Sequence, residues 1–132
     1  MSDFSVHIAE EIRDLMSQGT VRTPPSTVYV ALFDSTDTER STDFENDRVA
    51  VAAGSGWDET GTSFENADVV DFGEATDDVD NLEDVALFDA ETDGEELARF
   101  QMDGTPFNIA SGSTLEFPAG DLSFDIIDRT EV

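Results

Sequence analysis

Apolar residues at the start of the chain recur every three or four positions, which is the spacing of one face of an α-helix. Over residues 3–18 the apolar residues that recur at this spacing are Phe4, Ile8, Ile12, Leu15 and Met16. Ser2 or Asp3 is expected to cap this helix and Gly19 to end it, since Pro24 and Pro25 forbid its continuation. The sequence therefore predicts one amphipathic helix over residues 1–19. Its apolar face either packs on its own domain or contacts another molecule.

After Pro25 the apolar positions form short β-type runs that are separated by Gly, Asp, Ser and Thr, as in strands joined by turns. The runs lie at residues 27–33, 48–53, 67–72, 84–88, 96–102, 114–117 and 122–127. Because no helical pattern alternates with them, they favour a sandwich or barrel over β-α-β units. We expect a mainly β protein: one antiparallel β-sandwich of about seven to eight strands over residues 20–132, preceded by the helix.

The pentapeptide Val-Ala-Leu-Phe-Asp occurs twice, at residues 30–34 and 85–89. Each copy ends a strand pattern and enters an acidic turn. We expect the copies to form equivalent strands in adjacent or facing positions.

Two segments without periodicity, residues 35–47 and 54–66, are expected to be long loops. Loops of this length in a small domain commonly carry function. The second contains Trp57, the only tryptophan. This side chain either anchors its loop in the core or contacts a partner from an exposed position.

Asp89, Glu91, Asp93 and Gly94 match the first half of a calcium-binding loop. The match fails at position 12, where Phe100 replaces the required Glu, and strand patterns flank the segment where helices are needed. A hairpin turn with Asp93-Gly94 as its turn pair is the preferred interpretation. Whether the acidic loops bind cations is left open.

Acidic side chains dominate the composition. The 32 Asp and Glu residues face 6 arginines and no lysine, which gives a formal net charge of −26. Such a surface repels itself in dilute buffer, whereas the Debye length falls to about 3 Å in 1 M salt. The charge indicates a protein from a halophile or one of its viruses, and it excludes neutralisation of nucleic-acid phosphates. With 38% hydrophobic residues and 10 Phe, the chain favours a folded core over disorder.

The residues that catalysis usually needs are scarce. The chain has no cysteine and one histidine, His7, which lies within the helix pattern. No nucleophile motif or phosphate-binding glycine loop occurs, and no carboxylate pair stands out for glycoside hydrolysis. No apolar stretch approaches the length of a membrane span. We therefore expect a protein that is not an enzyme, with no cofactor, no nucleic-acid partner and no membrane insertion.

Three segments behind the helix carry a resemblance to a known group of proteins. They are Thr-Pro-Pro-Ser-Thr-Val-Tyr-Val-Ala-Leu-Phe at residues 23–33, Val-Ala-Leu-Phe-Asp-Ala at 85–90, and Gly-Ser-Thr-Leu-Glu-Phe-Pro-Ala-Gly-Asp-Leu at 112–122. With this order the chain resembles small virion proteins of tailed bacteriophages, described as tail or head-fibre proteins, and similar proteins of haloarchaeal tailed viruses. The resemblance implies a β-sandwich subunit of a symmetric particle.

The resemblance and the acidity together lead to an expected role in the virion. A capsid turret or decoration subunit, exposed for host attachment, is the first expectation. A tail-associated protein of the fibre or baseplate, or a host-surface glycan-binding module, is the alternative. The expected partners are other copies of the chain, the major capsid or other virion proteins, and the host cell surface.

Candidate contact residues follow from the helix and from the loop around the tryptophan. The candidate oligomer or docking interface is Phe4, Ile8, Ile12 and Leu15, and the candidate loop contact is Trp57.

The charge generates a first prediction. Below about 0.5 M salt, repulsion between the carboxylates is expected to unfold the domain or dissociate its assembly. Circular dichroism and size measurement during dialysis into dilute buffer check this. An unchanged spectrum and an unchanged size contradict the interpretation of the charge as an adaptation to salt.

Overall fold

A computed structural model describes residues 5–20 and 25–125, and this part of the chain is mainly β. It contains one helix, α1 (Val6–Gln18), and ten strands. The strands are β1 (Thr27–Asp34), β2 (Val49–Ala52), β3 (Trp57–Thr60), β4 (Ser63–Asn66), β5 (Val70–Glu74), β6 (Val79–Phe88), β7 (Glu96–Gln101), β8 (Phe107–Ile109), β9 (Thr114–Phe117) and β10 (Ser123–Asp125). The mainly β antiparallel fold behind an N-terminal helix is confirmed.

Three antiparallel sheets enclose the core. A five-stranded sheet has the order β2-β1-β6-β7, with β8 paired to the start of β6. The other two are the three-stranded sheet β10-β4-β3 and the two-stranded sheet β5-β9. Val30, Leu32 and Leu87 of the large sheet pack in one buried cluster with Phe72 and Phe124 of the smaller sheets. The smaller sheets thus cover one face of the large sheet.

The two copies of the repeated pentapeptide lie side by side at the centre of the five-stranded sheet. They form the paired parts of β1 and β6, with Ala31 opposite Ala86. Because side chains alternate across a strand, Val30 and Leu32 face the core. The opposite face carries a second buried cluster of Ala31, Phe33, Ala86 and Phe88. The expectation of adjacent, equivalent strands is confirmed.

Two arginines cover this second cluster. The rings of Phe33 and Phe88 stack with their centroids 6.0 Å apart, and the small Ala31–Ala86 pair lies between them in the register. The Arg48 guanidinium lies 3.9 Å from the Phe88 ring centroid, and that of Arg99 lies 4.0 Å from Phe33. We call these four side chains the arginine–phenylalanine stack. Each cation–π contact stabilises the fold by about 0.5–2 kcal/mol.

Arg48 also ties two acidic segments to the sheet. It donates to both carboxylate oxygens of Glu39 at 2.8 and 2.9 Å and to the backbone oxygens of Ala90 and Asp93 at 2.9 and 2.7 Å. The Arg48 hydrogen bond is the main cause that holds the pKa of Glu39 below its ordinary value, while burial opposes the shift and Ser41 adds to it. The segment after β1 and the β6–β7 hairpin are therefore fixed by one guanidinium.

The expected loop over residues 35–47 is irregular except for a short 3-10 turn at Ser41–Asp43. It returns along β1 beyond the end of β2. The Arg40 N–H donates to the Leu32 oxygen at 2.8 Å, and the Leu32 N–H donates to the Ser41 hydroxyl at 2.9 Å. Ser41 is fully buried, so it supplies the hydrogen bond that a neighbouring strand would give.

Asn66, at the end of β4, is buried and binds the segment between β9 and β10. Its amide nitrogen donates to the backbone oxygens of Phe117 and Pro118 at 3.2 and 3.0 Å. Its amide oxygen accepts from the backbone N–H groups of Gly120 and Leu122 at 3.1 and 2.9 Å. One side chain therefore fixes the conformation of the Phe-Pro-Ala-Gly-Asp-Leu segment.

Several expectations about local structure need correction. The expected loop over residues 54–66 is largely the β3–β4 hairpin, in which Thr60 pairs with Ser63. β8 was also not predicted. Polar residues conceal the pattern of these short strands: of the four residues of β3, Trp57 is partly buried and the other three are exposed.

The helix begins later than its apolar pattern suggests. Ser5, and neither Ser2 nor Asp3, is the N-cap, with its hydroxyl accepting from the Ile8 N–H at 3.3 Å. Gly19 ends the helix in the left-handed conformation at φ 67°, as predicted. Phe4 lies outside the described residues.

The β6–β7 hairpin confirms the preferred interpretation of the acidic segment after the second pentapeptide. Asp93 and Gly94 both have positive φ, 53° and 75°. The Asp89 carboxylate accepts from the Glu95 N–H at 2.8 Å and so closes its own turn. Within residues 5–20 and 25–125 no group of three or more His, Cys, Asp or Glu side chains is arranged to hold a metal ion.

The buried amide generates a prediction about stability. Asn66→Ala removes the side-chain partner of the Leu122 N–H and the Phe117 carbonyl, whose hydrogen bonds to Asn66 are buried, and of the partly buried Pro118 carbonyl. It is therefore expected to cost about 2–4 kcal/mol of unfolding free energy. Denaturant unfolding in high salt measures this. The control is Asn46→Ala, because Asn46 is exposed and donates to the Asp71 oxygen at 3.0 Å. Equal losses in the two variants contradict the role given to Asn66.

The Glu39–Arg48 pair generates a prediction about pH. Because the pKa of Glu39 is lowered on folding, its contribution is fully present above the unfolded value, about 4.3, and is lost as pH falls through the folded value. Glu39→Gln is therefore expected to be less stable than wild type at pH 7, with a difference that shrinks in acid. Urea unfolding across pH checks this, with the exposed Glu116→Gln as the charge-matched control. A deficit independent of pH contradicts the assignment.

Candidate functional site: an apolar helix face and a groove

The helix is attached to the edge of the five-stranded sheet through its first turn. The Ser5 N–H donates to the Leu97 oxygen of β7 at 3.0 Å. A nitrogen of His7 lies 3.9 Å from the Glu95 carboxylate, and its other nitrogen lies 3.9 Å from Glu11. No residue of α1 that the structure describes is buried. Only the beginning of the helix is therefore held closely by the domain.

The apolar side of the helix beyond this turn is at least half exposed. His7 and Glu11 are partly covered, whereas Ile12, Leu15 and Met16 are 53%, 51% and 78% exposed. Residues three and four apart share one face of a helix, so these three side chains form a continuous surface. We call them the helix stripe. Full burial of an Ile, Leu or Met side chain is worth about 1.5–3 kcal/mol, and the isolated chain leaves half or more of the area of each of these residues in water.

A groove of about 360 Å³ lies between the start of the helix, the five-stranded sheet and the β3–β4 hairpin. Its apolar lining is Ile8, Val28, Trp57, Phe64, Leu87 and Leu97. Glu59 is the one carboxylate among the described residues that line it, although 32 of the chain's 132 residues are acidic. The hydroxyls of Thr62 and Ser63 at its rim both bond to Asp125, at 3.1 and 2.9 Å.

Trp57 begins β3 and joins the groove to the core. Its ring meets Phe64 and Phe124 edge-on, with centroid distances of 5.3 and 6.1 Å. It packs against the buried cluster while remaining partly exposed and lining the groove. One side of the Trp57 ring is thus anchored in the core and the other is accessible in the groove. The residue lies on a strand and not in the expected loop. A binding role for Trp57 stays a prediction.

The predicted contact residues fall into two places. Ile8 lines the groove together with Trp57, while Ile12 and Leu15 lie on the helix stripe. Phe4 is outside the described residues. Of these three described residues, only Ile8 packs against the protein's own domain. Reasoning from sequence did not identify Val28, Leu97 or Glu59, because no local pattern reveals which strand edges face the helix.

Two carboxylates with a lowered pKa, Asp34 and Glu39, have structural roles. Burial opposes the charge of Asp34, but hydrogen bonds from Thr36 and Thr38, with Arg40 nearby, outweigh it and lower the pKa. The lowered pKa of Glu39 has its cause in Arg48. Neither carboxylate lines the groove. The groove therefore offers apolar contact, and Glu59 is the ionisable group that it presents. No helix in the described parts of the chain has the length and hydropathy needed to cross a membrane.

Comparison with known proteins gives one family match. The model of the family described as Gp80, Podophage GP4 fiber I protein gp80, matches residues 3–125, which include α1 and all ten strands given above. No curated protein matches the chain.

Proposed function

The chain belongs to the Podophage GP4 fiber I protein gp80 family and is thus a structural component of a virus particle, in which we propose that it is a fibre-associated subunit that assembles with copies of itself. The name of the family favours the tail-associated alternative over the capsid turret or decoration role that was the first expectation. A fibre family is a family of structural proteins. That the chain is not an enzyme and uses no cofactor stays an expectation.

Self-association is supported by the helix stripe. Ile12, Leu15 and Met16 are at least half exposed on a helix that buries none of its described residues. Removing this apolar area from water is favourable in proportion to the area buried. A second copy supplies a matching apolar surface, which makes the helix the candidate interface.

The acidity supports assembly in concentrated salt. With a net charge of −26 per copy, close approach of two copies is opposed in dilute buffer and permitted when salt screens the carboxylates. We therefore keep a halophilic tailed virus as the proposed source. Contacts with other virion proteins and with the host surface stay predictions.

Glycan binding at Trp57 receives less support. The lining of the groove is mostly apolar, and its Thr62 and Ser63 hydroxyls already donate to Asp125. Sugar recognition needs polar groups placed to bond the ligand. The geometry favours a protein contact over a sugar contact at this place.

The test of self-association is the mass in solution. Wild type is expected to form a discrete oligomer by light scattering in about 2 M salt, where charges are screened. Ile12→Asp with Leu15→Asp is expected to weaken it at least about 100-fold, because two apolar contacts per copy are replaced by carboxylates. Circular dichroism checks that the variant remains folded.

Val69→Asp is the control for a carboxylate at an exposed apolar position, since Val69 is 54% exposed, precedes β5 and does not line the groove. It adds one negative charge where the double variant adds two, and it should leave the mass unchanged. A monomeric wild type at high concentration contradicts the proposed function. A double variant with the mass of wild type contradicts the role of the helix.

A further inference from the structure

We propose that the groove beside Trp57 receives the helix stripe of a neighbouring copy. The inference rests on the proposed self-association and names the second surface of that contact. One chain then carries both halves of a ridge-in-groove interface: Ile12, Leu15 and Met16 form the ridge, and Val28, Trp57 and Leu97 lie in the groove.

The described part of the helix touches the groove at one turn only. Ile8 lines the groove of its own chain. Ile12 follows one turn later and is 53% exposed, and Leu15 and Met16 continue the exposed face. The helix thus touches the groove with its first turn, while the residues of its apolar stripe are at least half exposed. Among the described residues, the same chain presents both an apolar ridge and an apolar groove.

Repulsion between the carboxylates of two copies favours contact between the helix stripe of one and the groove of the other. Two copies that each carry −26 charges repel wherever their carboxylates meet. Glu11 and Asp14 flank the helix stripe but are partly covered, and the described lining of the groove contains one carboxylate, Glu59. Contact between these surfaces therefore buries apolar area while bringing few like charges together.

Arg13 gives the contact a complementary charge. Its side chain is 61% exposed and bonds to the adjacent Asp14 at 2.9 and 3.0 Å. The side chains of Arg40, Arg48 and Arg99 are only 22%, 6% and 24% exposed. Arg13 is thus the most available of the described arginines, and it lies on the helix beside the stripe. Pairing with Glu59 of the neighbour, at the rim of the groove, would fix orientation more than add affinity.

The proposed contact joins two different surfaces, which has a consequence for assembly. A head-to-tail contact of this kind repeats from copy to copy and generates a closed ring or a filament, unless a two-fold axis engages both surfaces at once. Rings and filaments are both compatible with a subunit of a fibre.

Cysteine cross-linking tests the contact directly, because the natural chain contains no cysteine. Met16→Cys places a thiol on the 78% exposed end of the stripe and leaves Ile12 and Leu15 intact. Ala53→Cys places one on the groove lining. The two proteins, one with a size tag, are mixed in high salt and treated with a short bis-maleimide. Val69→Cys replaces Ala53→Cys in the control mixture.

The expected product is a mixed Met16→Cys/Ala53→Cys dimer, with no mixed product in the Val69→Cys control. If light scattering shows an oligomer but the only cross-links join two Met16→Cys chains, or no cross-link forms, the groove proposal is overturned and self-association still holds. A monomer by light scattering overturns both. Equal yields with Ala53→Cys and Val69→Cys also overturn the groove proposal, because they indicate random collision.

Trp57 provides a second measurement, since it is the only tryptophan and lines the groove. On concentration of the wild type, its emission is expected to shift to the blue and its quenching by acrylamide to fall. Ile12→Asp with Leu15→Asp should show neither change. An oligomer whose Trp57 emission and quenching equal those of the dissociated protein contradicts the proposal.

Discussion

The arginine–phenylalanine stack is the interaction on which the arrangement of the large sheet depends. The central strands β1 and β6 are apolar on both faces, because the repeated pentapeptide alternates Val and Leu with Ala and Phe. The smaller sheets cover one face. On the other face Arg48 and Arg99 lie over Phe88 and Phe33. Arg48 pairs with Glu39, and Arg99 pairs with Glu96 and Asp37, so packing and charge pairing are satisfied together.

The small number of positive charges also determines the character of the exposed surface. Three of the four described arginines are held in partly buried ion pairs within the fold, and the chain has 32 carboxylates. Attraction between copies therefore has to come from apolar area at places where carboxylates are sparse. The helix stripe and the groove beside Trp57 meet this condition. This is consistent with membership of a fibre family, in which a subunit acts through its contacts.

The sequence was informative wherever a pattern is local and long. The helix period, the Gly19 end and the strands with several inward apolar residues were all predictable, as was the pairing of the repeated pentapeptides. β3, β4 and β8 were not, because β3 and β4 each have one large apolar residue, Trp57 and Phe64, among polar ones, and β8 spans only Phe107–Ile109. Ser5 was missed as the cap because apolar spacing alone does not locate the first turn. The groove depends on which strand edges meet in the tertiary fold, so only Ile8 and Trp57 were identified in advance.

Hydrogen exchange in high salt, compared between concentrated and dilute protein, separates contacts between copies from contacts within a copy. If copies join through α1 and the groove while the stack holds the fold within each copy, amides of α1 and of the β3–β4 hairpin gain protection on concentration. Those of β1 and β6 are then equally protected in both samples. Exchange in α1 and the hairpin that is independent of concentration, in a protein shown to be oligomeric, would contradict that contact between copies.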